Sequence, residues 1–167
     1  MATRRIVELG DPKLRKAAKP VEKFDFRLRT LLADMANTMY RAEGVGLAAP
    51  QVGILRRAVV VDVGEGLYEL VNPVIVACEG EQTGPEGCLS IPGRRGLVSR
   101  PERVTVRALD AKGEPIEVTG EGFLARAFCH EIDHLDGVLY VDKMERELFD
   151  EDEDDDDGDE GETDGEA

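Results

Sequence analysis

Apolar residues recur at helical spacing in two stretches of the chain, and between them they alternate with polar ones. Over residues 24–44, FDFRLRTLLADMANTMYRAEG sets Leu28, Leu31, Leu32, Met35 and Met39 three and four apart. That is the mark of an amphipathic helix with one core-facing stripe, and Gly44 is its expected stop. Residues 56–63, RRAVVVDV, read as a strand; GEG closes it, and LYELVNPVIVACEGE continues as extended chain broken at Pro73. RVTVRALDAKGEPIEVTGEG then shows two alternating runs joined by residues 110–113. Helical spacing returns in GFLARAFCHEIDHLDG, where Leu124, Phe128 and Leu135, with Phe123, Ala127 and Ile132, place apolar groups around nearly the whole circumference. A helix that apolar is expected to be buried. Helix, strands, helix predicts an α+β fold, with antiparallel β-sheets packed around a buried C-terminal helix and an amphipathic helix on the N-terminal side.

Composition adds a boundary. The 167 residues suit one domain, and thirteen of the acids that make the net charge −15 lie between positions 150 and 166. Without them residues 1–149 carry only −2. The stretch DEDEDDDDGDEGETDGEA has no apolar residue but its last alanine, so residues 150–167 are expected to be a disordered acidic tail that serves solubility, and 1–149 the folded domain. No apolar run approaches the ~18 residues of a membrane helix. The first residues lack the apolar stretch of a secretory signal, so a cytoplasmic protein is expected. Three cysteines at irregular spacing do not make a disulfide framework.

Candidate chemistry lies in residues 129–137, CHEIDHLDG, which hold both histidines of the chain. Four apart on a helix, His130 and His134 share one face with side chains rooted about 6 Å apart, so two imidazole nitrogens can meet one ion. Glu131 projects beside that point, placed to take a proton from water and hand it to a leaving amine. A catalytic ion of this kind needs a third protein ligand. The pattern HExxHxxGxxH continues through Gly137 but meets Tyr140 where its third histidine belongs. The short acidic end leaves no packed downstream helix to supply a carboxylate, which leaves a cysteine or an upstream acid. Cys129, adjacent to His130, points away from the shared face. Cys78, in VIVAC, reads as a small buried hydrophobe. Cys88 lies in GPEGCLSIPG, a segment too rich in glycine and proline for regular core, where a thiolate could complete a Cys, His, His site. GVGLAAPQVG, residues 44–53, suits backbone that must come close to another group.

GVGLAAPQ (44–51), EGCLS (86–90) and HEIDH (130–134) match, in order and approximate separation, three signature motifs, and with DPKLR, SRPERV and GFLAR the chain resembles bacterial peptide deformylases over residues 5–144. The resemblance implies removal of the formyl group from the N-terminal formylmethionine of new polypeptides, with release of formate. It implies Cys88, His130 and His134 as metal ligands and Glu131 as general acid and base. Gln51 and the backbone N–H of Leu89 would hold the formyl oxygen as charge develops on it. Gly46 and its neighbours would pair with the substrate as an added strand. Val45 and Ala127 would line a methionine pocket, Arg95 would contact the substrate backbone or stay solvated, and Glu86 would pair with Arg100 to brace the Cys88 loop. The implied metal is iron(II), with zinc, nickel or cobalt as substitutes. The implied partners are formylmethionyl nascent peptides, with no membrane and no direct nucleic-acid binding. Two departures stand out: Cys129, where glutamine is common, adds an oxidisable thiol near the site. Where relatives carry a basic C-terminal helix tied to ribosome contact, this chain runs MERELFDEDEDDDD, a polyanion that RNA repels.

Overall fold

The apolar stripe over residues 28–39 folds as helix α1, Phe26–Arg41, in the computed structural model, which describes residues 2–149. Asp25 sets its start: the carboxylate accepts hydrogen bonds from the backbone N–H groups of Arg27 and Leu28, donors that a first turn leaves unpaired. The helix ends at Arg41, short of Gly44, with Glu43 turned into the left-handed region at φ 57°. Leu28, Leu31, Leu32, Met35 and Met39 are all buried, as their spacing predicts.

The strands in chain order are β1 (Gly46–Ala48), β2 (Ala58–Val61), β3 (Tyr68–Glu79), β4 (Gln82–Cys88), β5 (Ile91–Arg100), β6 (Arg103–Leu109), β7 (Pro115–Glu121) and β8 (Arg146–Leu148). Helix α2, Phe123–Leu135, and the short α3, Tyr140–Lys143, lie between β7 and β8. One antiparallel sheet has the order β1-β2-β3-β6-β7 and the other β4-β5-β8. Successive side chains of a strand face opposite ways, and β2 shows the consequence. Val59 and Val61 join Val104, Val106 and the α2 residues Leu124, Phe128 and Leu135 in one core, while Ala58 and Val60 join the stripe of α1 in another. The two helices therefore cover opposite faces of the five-stranded sheet. A third cluster, Leu14, Ile91, Val98, Leu139 and Tyr140, ties the smaller sheet to α3 and to the turn Pro12–Arg15.

Two expectations are corrected. Pro73 does not break the extended chain, because the β3–β6 ladder shifts register between Val71 and Val74 and Asn72 takes φ 51° there. An irregularity of this kind tolerates a residue with no N–H to donate. GPEGCLSIPG is not irregular either. It is the hairpin of β4 and β5, paired from Gln82↔Arg100 to Cys88↔Ile91. Pro85, Gly87, Pro92 and Gly93 fall on exposed positions while Glu86 and Ile91 turn inward. No helix among the described residues is long and apolar enough to cross a membrane. The acidic stretch 150–167 lies outside the described residues.

Candidate metal centre

Helix α2 and the β4–β5 hairpin meet at three donor groups. His130 and His134, one turn apart, have ring centroids 5.0 Å from each other. Cys88, at the end of β4, brings its Sγ to 3.3 Å from His134 Nε2. One donor atom from each of these three residues lies within 4.8 Å of the others. Gln51, in the short turn Ala49–Val52 after β1, is buried with its orientation decided by its neighbours. Its Oε1 accepts from the backbone N–H of Ala48 at 2.9 Å, so its Nε2 must face Ser90 Oγ (3.1 Å) and Cys88 Sγ (3.5 Å).

Around these donors lies a buried polar frame. Glu86 of β4 accepts from Arg100 in a two-pronged pair, Nε to Oε2 at 3.0 Å and Nη2 to Oε1 at 2.7 Å. Its Oε1 also lies 2.6 Å from His130 Nδ1, which leaves the Nε2 of that ring to face the cluster. Arg126 Nη1 donates to Oε2 at 2.7 Å, and Arg100 Nη1 reaches Asp133 of α2 at 2.6 Å. Burial alone would raise the pKa of Glu86, but the hydrogen bonds from His130 and Arg100 outweigh it and hold the group well below the usual carboxylate range. A carboxylate behind a ligating imidazole fixes its tautomer and orientation.

Glu131 is the opposite case. Burial pushes its pKa up to about 7, the charge on His130 opposing and that on Glu86 adding to the rise. Its Oε2 has no hydrogen-bond partner among the described residues. Gly46 of β1 is the reason it fits: a Cβ there would stand 2.8 Å from both Glu131 Cγ and Oε1, so only glycine lets the strand pass this close.

The donor set suits a divalent cation. Thiolate and imidazole are ligands of zinc and of the later first-row metals, and three protein donors leave a position open. Burial lowers the proton affinity of His130, but Cys88 and Glu86 more than reverse it, and the negative charge that favours a proton there favours any cation. Burial holds His134 neutral, the state in which an imidazole ligates.

A model of the polypeptide deformylase family matches residues 3–149. The chain belongs to that family. It is 64% identical over 148 residues to the peptide deformylase of Caldanaerobacter subterraneus subsp. tengcongensis, a match over 89% of this chain and 93% of that one. Among solved structures, a peptide deformylase from Legionella pneumophila superposes with a TM-score of 0.83 at 53% identity, over 86% of each chain. One from Synechococcus elongatus, in complex with actinonin, gives 0.82 at 46% identity, over 84% of this chain and 78% of that one. Family members are metal-dependent hydrolases that remove the N-terminal formyl group of nascent peptides, and this chain is an enzyme of that kind.

Of the residues singled out from sequence, Cys88, His130, His134, Gln51, Glu131 and Gly46 come together as described, and Glu86 pairs with Arg100. Leu89 follows the thiol in the turn between β4 and β5. Val45 is exposed beside Gly46, Ala127 is buried one turn ahead of Glu131, and Arg95 is exposed on β5 opposite Leu148. Cys78 is a correction: it is exposed, at the penultimate position of β3 beside the exposed residues 79–81, where apolar cover has run out. Cys129 is buried and its thiol is pushed up to about 11 by burial, so it is no reactive thiol. Sequence reasoning missed that Glu86 touches His130, that Arg126 touches Glu86, and that the Tyr140 ring stacks on His130 with centroids 6.1 Å apart. A lone arginine in a helix otherwise so apolar was the available signal for Arg126, since a buried cation needs an anion.

Proposed function

We propose that Cys88, His130 and His134 hold a divalent metal ion and that Glu131, Gln51 and the backbone N–H of Leu89 act on a formyl group beside it. The observation that carries this reading is the convergence of a thiol, two imidazoles, a buried acid and an amide donor on one point. Iron(II) is the metal favoured by the resemblance, with zinc, nickel and cobalt compatible with the same ligands. When bound, such an ion supplies Lewis-acid chemistry, polarising the formyl oxygen and acidifying water.

The protein groups do the rest. Glu131 takes the proton of the attacking water at Oε2, its unpartnered oxygen, and returns it to the amine as the C–N bond breaks. A group with a pKa near 7 can do both at neutral pH. Gln51 Nε2 and the Leu89 N–H donate to the formyl oxygen as negative charge gathers there, a contribution of about 3 kcal/mol to the barrier per donor. Strand β1 lies at the edge of its sheet, so Val45 and Gly46 offer backbone on which an extended peptide adds as a further strand, read by main chain and therefore tolerant of sequence. The methionine side chain rests against Val45 and Ala127, and Arg95 meets the peptide backbone further along. Products are formate and a free N-terminal methionine.

On this reading residues 1–149 are the catalytic domain, and the acidic residues 150–167 serve solubility rather than ribosome docking. The enzyme works in the cytoplasm on newly made chains. The test is formate release from a formylmethionyl peptide and from its unformylated counterpart, with and without a chelator. Formate should come only from the formylated peptide and should cease when elemental analysis shows the metal removed; undiminished release from metal-free protein sinks the reading.

A further inference from the structure

The three donor residues belong to two separate bodies. Cys88 ends β4 of the three-stranded sheet, while His130 and His134 ride on α2, which packs against the five-stranded one. Any ion that all three hold depends on the span between hairpin and helix. Glu86 crosses it to His130 Nδ1 and Arg100 crosses it to Asp133, and a third side chain crosses it from the helix side. Arg126 lies four residues before His130 on α2 and is 4% exposed. Its Nη1 donates to Glu86 Oε2 of β4 at 2.7 Å and to the carbonyl of Val98 in β5 at 2.9 Å. Its Nη2 reaches Gln82 Oε1 at 3.5 Å. Gln82 in turn donates through Nε2 to the carbonyl of Gly122, just ahead of α2, at 2.6 Å and to that of Pro101 at 3.1 Å. Gly84 of β4 leaves the lane open, since a Cβ there would stand 3.3 Å from Arg126 Nη2.

Arg100, which also reaches the partly exposed Asp133 of α2, grips the same carboxylate from β5, within the sheet that already carries Glu86. Arg126 grips it from the helix. A buried guanidinium has no low-cost place away from its acceptors, and its planar fork fixes directions that a lysine point charge does not.

We infer that Arg126 is a positioning residue for the metal: by clamping Glu86 and Val98 to α2 it sets the distance between Cys88 and the two histidines. The inference rests on the reading of those three residues as metal ligands. Arg126 itself touches neither ion nor peptide.

The experiment uses the full chain loaded with cobalt(II), whose thiolate-to-metal absorption reports the Cys88 bond directly, and measures affinity by competition with a chelator. Arg126→Met should weaken cobalt binding by up to about 10-fold, the low end of what losing a direct outer partner of a ligand does, because Arg126 acts through Glu86, and should shift the thiolate band. Arg126→Lys, which keeps the charge but not the fork, should fall between it and wild type. Gly84→Ala removes no charge and pushes the guanidinium by a few tenths of an ångström. It should shift the same band with a smaller loss, and it serves if the Met variant does not fold. An Arg126→Met protein of lower thermal stability but wild-type cobalt affinity and absorption would overturn the inference, as would a folded Gly84→Ala protein with an unmoved band if the Met variant cannot be made. Cobalt binding that survives Cys88→Ala would instead refute the ligand reading beneath it.

Discussion

Val59, Val61, Leu70, Val104 and Val106 of the five-stranded sheet pack with α2 as buried aliphatic groups, whereas the three-stranded sheet meets the same helix through Glu86, Arg100 and the half-buried Cys88. The first contact is held by volume. Its side chains can exchange shape with their neighbours as long as the space is filled. The second is held by paired charge in a place water does not reach, and a buried ion that loses its partner has nothing to replace it. The difference divides the labour: one sheet seats the histidine helix, and the other sets where the thiol stands against it.

Substitutions at the seam and in each half should separate these roles. Glu131 stands where both sheets meet, against Gly46 of one and near Glu86 of the other. Glu131→Gln keeps the shape and removes the group to which the proposed mechanism gives the proton, so kcat should fall by about 10²- to 10⁴-fold with metal content unchanged by elemental analysis. A variant that keeps its metal and turns over at the wild-type rate would remove Glu131 from the mechanism.

Next in size is the charged contact itself. Glu86→Gln leaves Arg100 and Arg126 without their shared anion, and removing one partner of a buried pair costs about 3–5 kcal/mol. Denaturant unfolding should register that loss, and metal retention should fall with it, because the carboxylate behind His130 Nδ1 becomes a neutral amide with a single acceptor oxygen. Leu70→Ala opens a cavity in the volume-held half at a cost of about 2–5 kcal/mol. Here the folded fraction should keep wild-type metal affinity and kcat. If Leu70→Ala loosened the metal as much as Glu86→Gln does, the division between the two sheets would be false.

The same contrast explains what could be read from the chain. The stripe of α1 and the alternation in β6 and β7 are visible because volume-held contacts need apolar residues at a fixed period, and a period is a local property. The pair of histidines with Glu131 is local too, all within five residues on one helix. Strands β4 and β5 were hidden because Pro85, Gly87, Pro92 and Gly93 look like loop, although on exposed positions of a hairpin they cost the ladder little. Glu86 and Arg126 stand 40 residues apart, and nothing in either neighbourhood names the other. Cys78 misled because VIVAC is apolar as a run, while burial depends on what covers the strand end.

The smallest effect belongs to the exception in the volume-held half. Asp34, on α1, is buried, accepts from the backbone N–H of Ala2 at 3.0 Å and pairs with Arg4 Nε at 3.1 Å. The hydrogen bond from Ala2 lowers its pKa most, burial opposes, and Arg4 lowers it further. A carboxyl whose folded pKa lies below its unfolded value stabilises the fold above the unfolded value, about 3.9, and that contribution is lost as pH falls through the folded pKa. The pair is partly exposed on the Arg4 side, so Asp34→Ala should cost about 1 kcal/mol or less at pH 7. Unfolding midpoints of wild type and variant should converge as the pH drops below 4, because acid removes from the wild type what the substitution has already removed. Because the site lies in the half that the metal does not depend on, kcat at pH 7 should stay at the wild-type value. A stability gap equally wide at pH 7 and pH 3 would show that Asp34 contributes through packing rather than charge, and the α1 side of the molecule would then be held by volume throughout.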